Sequence, residues 1–151
     1  MNCDLVFAGA DHASFGFPEV KRGVFASAGA LPRITRKIGK QRAMEMVLTG
    51  RVMSARKAKD WGFVNDVVEG EAGAVVAKAI GVAQAIAANS PDAVIISRQG
   101  VMMGWEGGGA EEGSRLFAEN FGPRLAEGDN IKEGLKAFVE KRKPSWTDTK
   151  L

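Results

Sequence analysis

Among the residues able to do acid–base chemistry, Glu19 has the most telling neighbours. It directly follows Phe17-Pro18. The proline pushes Phe17 toward extended geometry, so the apolar run 13–17 reads as a strand that stops there. A carboxylate just past such a break is held by a rigid element and still free to point into a cleft. By position alone it reads better as a solvated loop carboxylate beside Lys21 and Arg22. The other reactive side chains offer less. His12, the only histidine, follows Asp11, but no Gly-x-Ser-x-Gly elbow supplies a nucleophile, and it reads as a loop or surface residue. Cys3, the only cysteine, can form no intrachain disulfide and reads as a small buried strand residue. Gly107-Gly108-Gly109 lacks the Lys-Ser/Thr of a phosphate loop and reads as a hinge between helices. No metal site is expected.

The elements that must position these groups follow from period and punctuation. Leu5 to Ala8 reads as a buried strand. A loop over 23–37 enters a helix, and 40–49 is a helix with Ala43, Met44, Val47 and Leu48 on its apolar face, closed by Gly50. Ser54 caps a short helix that ends at Trp61-Gly62, and 63–68 reads as a strand. From 72 onward the pattern is helical: 72–88, then a helix opened by Ser90-Pro91, then 110–126 with Leu116 and Phe117 inward. Met102-Met103 reads as core or subunit contact. Asn130 with Glu133 resembles a capping box for a last helix, whose apolar face is Ile131, Leu135, Phe138 and Val139 and which Pro144 ends. A strand-bearing third thus precedes a helical two-thirds, and the sheet has too few strands to be complete, as though an N-terminal portion were missing.

Composition narrows the class. With 45% hydrophobic and 26% charged residues the chain is globular rather than disordered. A net charge of +3 with no aromatic-interleaved basic stripe does not describe a nucleic-acid-binding protein. The one dense basic patch, Lys141-Arg142-Lys143, suits a phosphorylated small molecule equally well. No apolar run is long enough to span a bilayer.

Several separated motifs resemble the crotonase superfamily, the enoyl-CoA hydratases and isomerases. Cys3-Asp4 followed by an apolar strand leads to Phe15-Gly16-Phe17-Pro18-Glu19 and Gly23, similar to the family's F-G-x-P-E signature. Gly29-Ala30-Leu31-Pro32-Arg33, the stretch 43–50, and Ser54 to Asn65, which is similar to S-A-x-x-A-x-x-x-G-hydrophobic-V-N, come next in order. Ala137-Phe138-Val139-Glu140-Lys141-Arg142-Lys143-Pro144 resembles the family's A-F-x-E-K-R-x-P end. The resemblance covers residues 3 to about 146.

The resemblance implies an α/β fold, the ββα spiral shared by ClpP and crotonase, with 1–68 the C-terminal part of the spiral core and 69–151 a helical region for oligomerisation and CoA capping. It implies catalysis on acyl-CoA thioesters through an enolate held by two backbone N–H groups, with glutamates moving protons or holding water. Glu19 stands at the second glutamate of the hydratases. The first glutamate and the oxyanion donors belong to family segments that precede the Cys-Asp pair. A single glutamate suits an enoyl-CoA isomerase; Asp4 and Asp11 are the nearest other carboxylates in sequence. Phe138 and Lys141 are expected to touch the CoA adenine and phosphate, from a neighbouring subunit, although Phe138 fits a core position equally well. No cofactor beyond the coenzyme A of the substrate is expected, and the assembly is expected to be a homotrimer or hexamer. A catalytically incomplete assembly module is the competing reading. Thr149-Lys150-Leu151 differs at one position from a peroxisomal Ser-Lys-Leu ending, which points to peroxisomes, with mitochondria or cytoplasm as alternatives.

Overall fold

The computed structural model describes residues 3–107 and 109–150. They divide into two compact units within one helix, between Gly81 and Val82.

The first unit holds four three-residue strands. β1 (Phe7–Gly9) pairs in parallel with β4 (Asp66–Val68), Phe7 opposite Asp66. β2 (Ser14–Gly16) pairs antiparallel with β3 (Val52–Ser54), Phe15 opposite Met53. Asn65 lengthens the first pair: its N–H donates to Val6 O at 2.8 Å, and its side-chain oxygen accepts the Val6 N–H at 2.7 Å. A side chain there does the work of a further ladder bond. Cys3 lies before the strand and is exposed, so it is not the buried strand residue expected.

Three short helices connect the strands: α1 (Ala30–Ile38), α2 (Lys40–Thr49) and α3 (Ala55–Asp60). The Ser54 hydroxyl accepts from Lys57 N at 3.3 Å, the expected N-cap of α3. Gly50, at φ 58°, ends α2 in the left-handed conformation that glycine adopts without steric cost. Ile34, Ile38, Ala43, Met46, Met53, Ala55, Ala58, Trp61 and Val64 close the core beneath β1, with Phe15 meeting Phe63 edge-to-face at 5.0 Å. The buried face of α2 is therefore Ala43 and Met46; Met44 and Leu48 are 49% and 68% exposed, against expectation. α4 (Ala72–Ala87) begins in this unit.

The second unit is helical. α5 (Pro91–Glu106) starts at the Ser90 cap, whose hydroxyl accepts from Ala93 N. α6 (Ala110–Glu127) follows, and Gly100 of α5 lets Phe117 approach so closely that a β-carbon there would stand 3.0 Å from its ring. α7 (Asp129–Val139) begins one residue before Asn130. Asn130 is not a cap at all. It is 2% exposed, its amide donates to Asp92 Oδ2 (2.9 Å) and Thr147 O (3.0 Å), and its oxygen accepts from Thr147 N (2.9 Å). That amide ties α5, α7 and the C-terminal tail together. Trp146 completes the tie by donating its indole N–H to Ala88 O at 2.9 Å. The expected apolar face of α7 points outward: Leu135, Phe138 and Val139 are 64%, 83% and 79% exposed. Among the described residues, no single helix is long and apolar enough to cross a membrane.

Candidate active site

Glu19 sits in a single 3-10 turn, Pro18–Arg22, that begins two residues after β2. Phe17 is extended (φ −124°, ψ 80°), as its proline neighbour requires, and Pro18 takes the first position of the turn, where its missing N–H costs nothing. Gly23 then reverses the chain at φ 72°, and Val24 N donates back to Glu19 O at 3.2 Å. The backbone of Glu19 is thus fixed on both sides by local chemistry that only Pro and Gly supply. Its side chain is half-buried. One carboxylate oxygen, Oε2, is shut off from solvent and meets no hydrogen-bond donor among the described residues. Native proteins rarely leave such an atom unpaired, since desolvation without a partner costs about 1–3 kcal/mol or more.

The turn is propped from one side. Val20 and Lys21 lie against the backbone of Gly50, the residue that ends α2. Nothing in a one-dimensional reading connects residues 20 and 50; the signal available was only that Gly50 caps a helix.

His12 is an exposed turn residue, as expected. It borders a shallow apolar hollow of about 360 Å³ formed with Ala13, Gly70, Val75 and Val76, which brings no second reactive group to it. Among the described residues there is no group of three or more His, Cys, Asp or Glu side chains able to hold a metal ion.

Phe138 and Lys141 belong to the second unit. Phe138 is not a core residue; its ring is the most exposed of the large apolar side chains on α7. Three residues later Lys141 takes a left-handed backbone, φ 54°. Arg142 N bonds Ala137 O at 3.1 Å and Lys141 N bonds Phe138 O at 3.3 Å, the paired closure of a Schellman motif with lysine where glycine is usual. The next residue holds this end in place. The Arg142 guanidinium forks onto both oxygens of Glu133, at 2.6 and 2.9 Å, and its Nε reaches Glu140 at 2.6 Å. Arg142, helped by the Ser145 N–H, holds the Glu133 carboxyl down to about 2. The Lys141 ammonium makes no ion pair among the described residues. Of the three terminal residues, Lys150 pairs with Asp129 at 2.5 Å, and Leu151 lies outside the described residues.

The sequence matches the enoyl-CoA hydratase/isomerase family over residues 1–149. The chain belongs to that family. A mevalonyl-coenzyme A hydratase of Aspergillus fumigatus is 47% identical over 150 residues, covering 99% of this chain and 54% of that protein. A mitochondrial enoyl-CoA hydratase of Pongo abelii is 41% identical over 148 residues, 98% of this chain and 49% of the other. Among solved structures, an enoyl-CoA hydratase of Mycobacterium marinum superposes with a TM-score of 0.85 at 38% identity, over 97% of this chain and 56% of that one. The chain spans about half the length of the relatives it matches. The fold class is therefore that of the crotonase-like hydratases, here with few strands and many helices.

Proposed function

We propose that the protein carrying this chain is an enoyl-CoA hydratase or isomerase acting on acyl-CoA thioesters, with Glu19 as an acid/base carboxylate. The observation that carries the reading is the closed, donorless Oε2 of Glu19 on a turn locked by Pro18 and Gly23. A carboxylate so placed, with no donor of its own among the described residues, has the capacity to take a proton from a water or substrate carbon and return it once the whole site is assembled. The thioester enolate needs backbone N–H donors as well, and the reading assigns these to the rest of the protein. No cofactor beyond the coenzyme A carried by the substrate enters the chemistry.

Phe138 and Lys141 are proposed to contact that coenzyme A. Support comes from an aromatic face left in solvent and, three residues on, an ammonium with no ion pair among the described residues, at a helix end fixed by Arg142. Lysine also bears a strained backbone there, and such strain gathers at functional sites. The outward face of α7, Leu135 with Phe138 and Val139, supports self-association as a trimer or hexamer. The relatives named as mitochondrial favour mitochondria over peroxisomes for the whole protein.

The test is loss of the enoyl-thioester absorbance of crotonyl-CoA, with mevalonyl-CoA run in the dehydration direction because of the relatives bearing that name. Turnover that falls by about two to four orders of magnitude in Glu19→Gln, the range of a lost general acid–base group, supports the reading. An unchanged rate removes Glu19 from the chemistry.

A further inference from the structure

We infer that Gly50 is a positioning residue for Glu19: the glycine that ends α2 sets the height of the turn that carries the carboxylate. The inference rests on the proposed role of Glu19. A β-carbon built on Gly50 would lie 3.0 Å from Lys21 Cε, 3.1 Å from Lys21 Cγ and 3.2 Å from Val20 Cγ2. The Lys21 tip can swing aside. Lys21 Cγ and Val20 Cγ2 can yield only by rotation about χ1, which the β-branched Val20 resists, or by a shift of a few tenths of an ångström in their backbone, and that backbone is the 3-10 turn of Glu19. Gly50 is itself buried, so the added methyl has no route outward. The demand at this position is therefore double. The left-handed φ of 58° favours glycine, and the side chains of the turn above stand closer to an added β-carbon than ordinary van der Waals contact.

The two demands can be separated with a second glycine. Gly62 has a comparable backbone, φ 79°, and an added β-carbon there meets nothing within 4 Å. Gly62→Ala therefore introduces the backbone strain alone, and Gly50→Ala introduces strain plus displacement of the Glu19 turn. In the whole protein with crotonyl-CoA, Gly50→Ala lowers kcat by about tenfold to a hundredfold with KM nearly unchanged, the scale of a displaced catalytic group. Gly62→Ala loses similar thermal stability and keeps kcat. Trimming both neighbours in the Gly50→Ala background, Val20→Ala with Lys21→Ala, restores kcat. Amide hydrogen exchange reads the same displacement without turnover. Gly23 and Val24, whose N–H groups bond Val20 O and Glu19 O, lose protection in Gly50→Ala and keep it in Gly62→Ala. Equal kcat losses in the two glycine variants, or unchanged exchange at Gly23 and Val24, overturn the inference. A wild-type protein inactive on enoyl-CoA, or an active Glu19→Gln, overturns instead the role of Glu19, and the exchange result still decides whether Gly50 sets the turn.

Discussion

Replacing Lys141 with glycine should make the protein more stable and a poorer binder of coenzyme A. The two effects have separate physical origins. Lys141 closes α7 in the left-handed conformation at φ 54°, which costs an L-residue about 1–2 kcal/mol. Glycine removes that cost and returns about 0.4–1 kcal/mol through its greater freedom when unfolded. The net gain is about 0.5–1 kcal/mol, a rise of a few degrees in Tm for a unit of this size. The Schellman closure survives, because its bonds run through backbone N–H groups of Lys141 and Arg142. Binding moves the other way. An ammonium-to-phosphate contact contributes about 1.5–3 kcal/mol, so affinity for CoA should fall by roughly tenfold to a hundredfold. Calorimetric melting gives the first quantity and isothermal titration with CoA the second. Lys141→Arg should retain most of the affinity and none of the stability gain. A Lys141→Gly protein that melts higher and binds CoA as well as wild type would show the lysine to be a solvated helix end and refute the assignment.

The remaining predictions concern the scaffold and its pH range. Asn130→Ala strips four hydrogen bonds from the junction of α5, α7 and the tail and leaves the buried Asp92 carboxylate without the Asn130 donor; denaturant unfolding should show a loss of about 3 kcal/mol or more. Ser54→Ala removes the cap of α3 and should cost about 1 kcal/mol in the same assay. The Glu133 carboxyl, held near 2 against 4.5 when unperturbed, contributes stability that is complete above pH 4.5 and lost as pH falls toward 2. Because Glu133 also accepts from Ser145, the tail should loosen across that window. Trp146 fluorescence should report it, and the step should vanish in Arg142→Ala.

Punctuation in the sequence placed most of the helices, because Ser54, Ser90-Pro91, Gly50 and Gly62 act through local backbone chemistry that a linear reading captures. The break at Phe17-Pro18 located Glu19 for the same reason. Facing was less legible. Period identifies the apolar side of α2 and α7 but not whether this chain covers it; Leu48, Leu135, Phe138 and Val139 all face solvent. Asn130 was misread because Asn-x-x-Glu is a pattern of polar spacing, and nothing local shows that Asp92, 38 residues earlier, holds its amide. The left-handed Lys141 could not be foreseen, since that conformation is signalled in sequence by glycine or asparagine. The prop of Gly50 beneath Val20 and Lys21 is likewise a contact of the folded chain alone.

The central claim is that Glu19 carries a proton at the carbon next to an acyl-CoA thioester, and one measurement addresses it without choosing between hydration and isomerisation. The whole protein is incubated with butyryl-CoA in deuterium oxide, and deuterium at the α-carbon is followed by mass spectrometry. The account predicts exchange with wild type and its loss in Glu19→Gln, with CoA affinity retained. Exchange that persists undiminished in Glu19→Gln would contradict it.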